Sequence, residues 1–355
     1  MMDYNLFGNS GLNVSKYALG TVMFSTNGLE EVGAMDQATA NYMVDYALEH
    51  GINHFDSANL YTKGDAEVIL GNAIKNKRQD MFISSKTGFQ LIDKPTDTGA
   101  ILNVDSSIDI LLKRLGTDYL DLYYVHCWDG QVPVSETVEM MNDLIKKGKI
   151  RHWGVSNYSG WALAKTHTWA VENNMIPPIA QQIYYTPESR EAEYEILPAG
   201  KELGILNSIR SPLGEGLLTG KYTRNNMVEP GARQGNGWPE TYIKNPDLFY
   251  NLIDVLQDVA SKHRATVAQV VLAWLRDRPN VDSIVLSART KEQLHENIAS
   301  YSLKLTNEDI TQINSVSALE PIYPLWVRAI NSLDRASDAE KVYLNEFHKL
   351  IESKI

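Results

Sequence analysis

A closed α/β barrel of the (β/α)8 TIM type is the fold this sequence predicts, and three observations point to it. Short apolar runs alternate with stretches at helical spacing, giving eight strand–helix units, and that alternation implies a parallel sheet. No Gly-x-Gly-x-x-Gly follows the first run, which argues against an open dinucleotide-binding sheet. The chain has 355 residues, a length that one barrel with insertions accommodates as a single domain. The expected barrel core spans about 14–300, and 301–355 forms a helical extension.

The elements follow in order. The segment around Gly8-Asn9-Ser10-Gly11 predicts a small N-terminal β-hairpin capping one end of the barrel. Val14 to Phe24 supplies the first strand, ending near Gly20-Thr21-Val22-Met23. A helix is expected over Asp36–His50, where Ala40, Met43, Val44 and Ala47 recur at helical spacing and Gly51 is the stop. Strand 2 (His54–Asp56), a helix over Ala66–Lys75 and strand 3 (Met81–Ser85) come next. Asn103 is the expected N-cap of a helix over Val104–Leu115, and Gly116 ends it before strand 4, Leu120–Val125. Three more units pair helices over Ser135–Lys147, Trp161–Asn173 and Ala192–Leu203 with strands Trp153–Ser156, Ala180–Tyr184 and Leu206–Arg210. The Gly- and Pro-containing stretch 211–247 has the length of a functional loop. Helices over Leu248–Lys262 and Val267–Arg276, strand 8 (Ser283–Leu286) and a helix over Lys291–Ser300 complete the barrel. The extension holds a helix over Asn307–Val316 and an amphipathic one over about Ser337–Ile355, which would pack on the barrel or on another copy of the chain.

Composition bounds the function. With 43% hydrophobic and 22% charged residues the chain is an ordinary globular one with a sizeable core. A net charge of −11 disfavours nucleic acid and anionic membranes as partners. The single cysteine, Cys127, excludes an intrachain disulfide and suits a reducing cytoplasm. The start shows no signal-peptide pattern, and no apolar run is long enough to span a bilayer. The eight histidines lack paired ligand spacing on one element, so no metal site is expected.

Chemistry gathers at three strand ends. His54-Phe55-Asp56 runs into a loop bearing Tyr61, strand 3 ends at Lys86, and strand 4 ends at His126. In a parallel barrel the C-terminal strand ends share one face, where active sites lie. A free phenol titrates near ~10, so Tyr61 needs a neighbouring cation to serve as an acid. Lys86 supplies one, Asp56 would hold the ammonium in place, and a neutral His126 could hydrogen-bond a carbonyl oxygen beside Tyr61. Taken singly, each of these residues has an ordinary structural explanation; together they form a proton-donating set. Reduction would also need a hydride donor, which implies a nicotinamide.

This set resembles the catalytic tetrad of the aldo-keto reductases, over about Asn5–Leu319. Asp56-Ser57-Ala58-x-x-Tyr61, Ala66-Glu67-x-x-Leu70-Gly71, Gly148-Lys149-Ile150-Arg151-x-x-Gly154-Val155-Ser156-Asn157 and Ser211-Pro212-Leu213-Gly214-x-Gly216-Leu217-Leu218-Thr219-Gly220-Lys221 carry the likeness. The resemblance implies NADPH across the barrel mouth. Gly20 and Thr21 fall on its track, Ser156, Asn157 and Gln182 at the nicotinamide, and Ser211, Leu213, Gly216 and Lys221 around the pyrophosphate. Ser287, Arg289, Gln293 and Asn297 fall at the adenosine end, with Arg289 toward the 2′-phosphate, which a guanidinium suits. Phe24, Trp128 and Trp238 would line the pocket of a small-molecule carbonyl substrate, with Tyr323 and Trp326 either joining them or docking the tail.

The sequence departs from the family in three places. Ser287 stands where many relatives have Gly. Thr62-Lys63-Gly64-Asp65 follows Tyr61, where relatives often have Gly at once. Arg210 replaces an aromatic that in relatives stacks on the nicotinamide. A cation there would weaken binding of the positively charged oxidised ring and favour NADPH and the reductive direction, unless Arg210 pairs with an acid. The same resemblance includes cofactor-binding subunits of potassium channels and alcohol dehydrogenases working oxidatively, and both stand as alternatives.

Overall fold

The computed structural model describes residues 2–26, 34–88, 104–224 and 243–354. Strands β1 (Tyr4–Leu6) and β2 (Asn13–Ser15) form the hairpin, with Tyr4 opposite Ser15. Eight parallel strands close a barrel: β3 (Tyr17–Gly20), β4 (His54–Asp56), β5 (Phe82–Thr87), β6 (Leu120–Val125), β7 (Ile150–Ser156), β8 (Ala180–Tyr184), β9 (Leu206–Arg210) and β10 (Ser283–Leu286). They run in chain order round the barrel, and β10 meets β3 with Val285 opposite Ala18.

The expected first strand is divided. Asn13–Ser15 belongs to the hairpin, the chain bends at Lys16, and only Tyr17–Gly20 enters the barrel. Each side of the bend serves a different sheet: Lys16 N–H donates to Asp3, and the Lys16 carbonyl accepts from Ile284 of β10. Phe7, in the hairpin loop, is fully buried and packs against Phe82 with ring centres 4.9 Å apart. With Leu122, Tyr124, Ala180 and Leu206 it fills the barrel floor, a burial that contributes about 2 kcal/mol for the Phe side chain alone. Above the floor, strand alternation sets the layers. On β5, Phe82, Ser84 and Lys86 share one face at period two, so one strand supplies an apolar floor, a hydroxyl and an ammonium in succession.

Helices α1 (Gln37–Glu49), α2 (Asp65–Ile74), α3 (Val104–Leu115), α4 (Val134–Lys146) and α5 (Gly160–Glu172) cover the first half of the barrel. Asp36 caps α1 by accepting from Thr39 N–H, and Ser159 caps α5 from Ala162. The expected cap Asn103 lies outside the described residues. The predicted helix over 192–203 is a 3-10 turn at Glu191–Glu193 followed by the short α6 (Ile196–Glu202), which contains Pro198. Helices α7 (Pro246–His263), α8 (Val267–Arg276) and α9 (Lys291–Ala299) follow. Thr266 and Gln269 form a capping box on α8. None of the described helices is long and apolar enough to cross a membrane.

The extension is α10 (Asn307–Val316), α11 (Leu325–Asn331) and α12 (Lys341–Glu352). Pairing with another copy through α12 was one expectation; instead its apolar face, Tyr343, Leu344 and Phe347, is buried against its own chain. An ionic clasp supplies the reason. Glu346 accepts from Arg190 at 2.6 Å and Arg278 at 3.0 Å, and both arginines also bind Glu193. Tyr343 donates to the Pro279 carbonyl at 2.7 Å.

Candidate active site

The structure brings Asp56, Tyr61, Lys86 and His126 together at the C-terminal ends of β4, β5 and β6. Lys86 is fully buried, and its ammonium donates to Asp56 Oδ2 at 2.5 Å, to the Ser57 carbonyl at 2.6 Å and to Tyr61 Oη at 3.4 Å. Asp56 Oδ1 also accepts from Ser84 Oγ at 2.7 Å and Gln182 Nε2 at 3.1 Å. Parallel register explains the closeness: Asp56 stands opposite Ser84, and Lys86 is the next residue on that face of β5. The rings of Tyr61 and His126 lie edge to face, 6.4 Å apart.

Burial and charge set the protonation states. Burial pushes the Tyr61 phenol up, and it outweighs the downward pull of Lys86. This differs from the expectation that the cation would bring the phenol toward neutrality. Burial also works against the Lys86 ammonium, but Asp56 and Tyr61 prevail and its pKa rises. His126 falls well below the ordinary imidazole range through burial, then Lys86, then Arg210, and so is neutral. His54, fully buried and 2.8 Å from Ser84 Oγ, is lowered to about 4 by burial.

The loop that carries Tyr61 is strained. Thr62 (φ 48°) and Lys63 (φ 57°) both adopt left-handed backbone, which costs a non-glycine residue about 1 kcal/mol. Thr62 is held there by its hydroxyl, which donates to the Phe24 carbonyl at 2.8 Å and accepts from Ala66 N–H at 3.0 Å. Gly64 (φ 97°) packs against Arg114, where a Cβ would lie 2.4 Å from the guanidinium carbon. Behind the loop, buried Glu67 accepts from Ser85 Oγ at 2.8 Å and pairs with Arg114 at 3.0 Å.

Other expected site residues lie at four places round the barrel mouth. Thr21 braces the end of β4: its N–H donates to the Asp56 carbonyl at 2.9 Å, and its hydroxyl donates to Ser57 Oγ at 2.9 Å. Gly20 lies against β10, where a Cβ would sit 2.8 Å from Val285 Cγ1. Ser156 donates to the Gln182 carbonyl at 2.9 Å. Asn157 is engaged at both ends of its amide: Nδ2 donates to the His126 carbonyl at 2.8 Å, and Oδ1 accepts from Arg210 Nη2 at 3.2 Å. At the far rim, the Gln293 side chain accepts from Arg289 N–H at 2.9 Å and Asn297 donates to the Ser287 carbonyl at 3.2 Å, so both order the loop between β10 and α9. The loop after β9 turns through left-handed Ser211 and Gly216, Gly216 N–H donates to the Leu213 carbonyl at 3.1 Å, and Lys221 is exposed.

Of the expected substrate aromatics, the Phe24 ring is buried in the core, because a turn from Thr21 folds it inward, and it is not displayed at the mouth. Trp128 is half-buried and packs edge to face on Tyr158 at 5.1 Å and Trp161 at 5.4 Å. Trp238 lies outside the described residues. Tyr323 and Trp326 are exposed.

Two contributors escaped the sequence reading. Ser84 bridges His54 and Asp56, and its place two residues before Lys86 was the available signal. Glu215 is buried in the loop after β9, where it accepts from Ser211 Oγ at 3.1 Å.

Comparison with known proteins agrees with this geometry. The model of the Aldo/keto reductase family matches residues 16–318. The chain belongs to the aldo/keto reductase family. A Strobilurus tenacellus relative named aldo-keto reductase str7 is 33% identical, over 78% of this chain and 80% of the relative. Bacillus subtilis has an uncharacterized oxidoreductase, YrpG, that is 29% identical over 89% of this chain and 96% of its own. A Schizosaccharomyces pombe relative named "Putative voltage-gated potassium channel subunit beta" is 32% identical over 90% and 95% of the two chains. As an aldo/keto reductase, the protein is an oxidoreductase of a family that acts on small-molecule carbonyl compounds.

Proposed function

We infer that this aldo/keto reductase reduces an aldehyde or ketone to an alcohol with NADPH, Tyr61 donating the proton. The observation that carries the reading is the buried Lys86 ammonium, held by Asp56 and set 3.4 Å from the Tyr61 hydroxyl. The phenol is partly exposed, and among the described residues it makes no other hydrogen bond, so its proton is available to a ligand. As Tyr61 gives up that proton, Lys86 stabilises the phenolate that develops. Asp56, tied to Ser84 and Gln182, keeps the ammonium charged and in place. Neutral His126 can donate one N–H to the carbonyl oxygen without competing as an acid.

Residues along the cofactor track fit a dinucleotide. Among the described residues, Gln182 Oε1, Glu215 Oε2 and Ser287 Oγ are buried without hydrogen-bond partners. A carboxamide N–H or ribose hydroxyl would satisfy the two acceptors, and a phosphate oxygen would accept from the serine. Arg289 starts the segment that leads into α9 and supplies the charge suited to a 2′-phosphate. When bound, the reduced nicotinamide supplies the hydride.

Burial raises the phenol's pKa, so Tyr61 is protonated across neutral pH, as a proton donor must be.

The channel-subunit relative supports a second reading, in which the barrel binds cofactor and acts through a partner. NADPH consumption over a panel of aliphatic, aryl and sugar aldehydes separates the two. Reduction is expected in the wild type, and Tyr61→Phe should lose about 10²–10⁴ in kcat with cofactor affinity kept. Normal turnover by Tyr61→Phe would sink the proton-donor role; cofactor binding with no turnover of any carbonyl would favour the subunit.

A further inference from the structure

The loop after β9 holds a charge pair that proton donation does not use. Arg210, the last residue of β9, donates to Asn157 Oδ1 from Nε at 3.3 Å and Nη2 at 3.2 Å. Its Nη1 lies 3.8 Å from Glu215 Oε1, and the guanidinium rests 5.4 Å from the centre of the Tyr184 ring. The Glu215 side chain is only 3% exposed. One oxygen accepts from Ser211, and the other is buried with no hydrogen-bond partner among the described residues. A buried carboxylate left so is costly without a cation, and Arg210 is the cation beside it. Left-handed backbone at Ser211 (φ 48°) and Glu215 (φ 55°) shows that the loop tolerates strain while it holds this arrangement.

The pair acts on the reacting centre. Proton and hydride must reach the two ends of one carbonyl bond, so the nicotinamide ring has to lie beside Tyr61. The Arg210 charge reaches that place, because it pulls down the pKa values of both Tyr61 and His126. The ring is neutral when reduced and positive when oxidised. An unpaired Arg210 would therefore repel the oxidised form alone, and an unpaired Glu215 would attract it.

We propose that Arg210 and Glu215 form a balanced ion pair that sets the protein's preference between reduced and oxidised cofactor, Glu215 offsetting the bias that Arg210 would impose. This rests on the nicotinamide reading above. It makes Glu215 a specificity-determining residue and takes up the alternative in which Arg210 pairs with an acid.

The test is the ratio of Kd for NADP+ to Kd for NADPH, measured by quenching of tryptophan fluorescence in the whole chain. Glu215→Gln should raise the ratio and Arg210→Gln should lower it, each by about tenfold, the effect of one unscreened charge several ångströms away in a partly buried site. The double variant Arg210→Gln/Glu215→Gln should return the ratio close to the wild-type value. If Glu215→Gln does not fold, the fall in Arg210→Gln and the return in the double variant still decide the matter. Parallel changes in both constants, with the ratio unmoved, would overturn the proposal and leave the pair a structural one. Failure of the wild type to bind either dinucleotide would instead bring down the cofactor reading itself.

Discussion

Inside the barrel, the Lys86 ammonium meets Asp56 at 2.5 Å and the Tyr61 phenol at 3.4 Å. On its flank, Arg278 meets Glu193 at 2.9 Å and the Tyr185 phenol at 3.0 Å. Both places combine a buried cation, a buried carboxylate and a phenol, and in both burial raises the phenol's pKa. They part company over the phenol's proton. Tyr185 donates to Glu193 at 2.5 Å and is fully buried, so its proton is committed. Among the described residues Tyr61 only accepts, over a longer distance, and it is partly exposed. Burial and shifted titration thus mark both clusters, and proton availability separates the proposed catalytic site from a clasp that holds α12.

The largest effect that would test this contrast is on turnover. Lys86→Met leaves the phenolate without its counter-charge, and kcat should fall by about 10³, near 4 kcal/mol of barrier. Because the Tyr61 pKa is raised, the wild-type reductive rate should hold through neutral pH. It should fall only as pH rises through a value above the ordinary phenol's. A pH–rate profile that breaks near neutrality would show that another group donates the proton.

Next comes a loss of stability. Arg278→Met leaves Glu193 and Glu346 short of a partner in a buried cluster, and removing one member of such a pair costs about 3–5 kcal/mol. Urea unfolding should show that loss, while kcat per folded molecule stays near the wild-type value. Were Arg278→Met to keep its stability and lose activity, the two clusters would have exchanged roles.

The same contrast explains what was legible in the sequence. Tyr61, Asp56, Lys86 and His126 could be picked out because each ends, or closely follows, a short apolar run, and a barrel brings such ends to one face. Helices were visible through their 3.6-residue period, as over Asp36–His50, and through glycine stops such as Gly51 and Gly116. The clasp had no such signal: Arg190 and Glu346 are 156 residues apart in sequence, and no local period links them. Glu215 was passed over because an acid in a loop has no periodicity, and its burial is set by the left-handed turn around it. The bend at Lys16 was hidden because neither Gly nor Pro stands beside it to signal a turn, and the division arises from hydrogen bonds to two different sheets.

The smallest effect is the one that bears most directly on proton availability. Tyr185→Phe removes a donor to Glu193 and leaves Arg278 Nε without the phenol oxygen it donates to. An unsatisfied buried donor costs about 1–3 kcal/mol, so the variant should unfold at lower urea. Its kcat should match the wild type, because the Tyr185 proton is committed to a carboxylate and serves no ligand. Tyr184, the neighbouring residue, packs under Arg210, so a displaced end of β8 would register first in the cofactor constants and only then in kcat. Equal losses of stability and Kd with kcat intact would still fit a clasp felt through β8. A kcat more than tenfold lower at unchanged stability would not, because a phenol whose proton is already given away would then be taking part in the reaction.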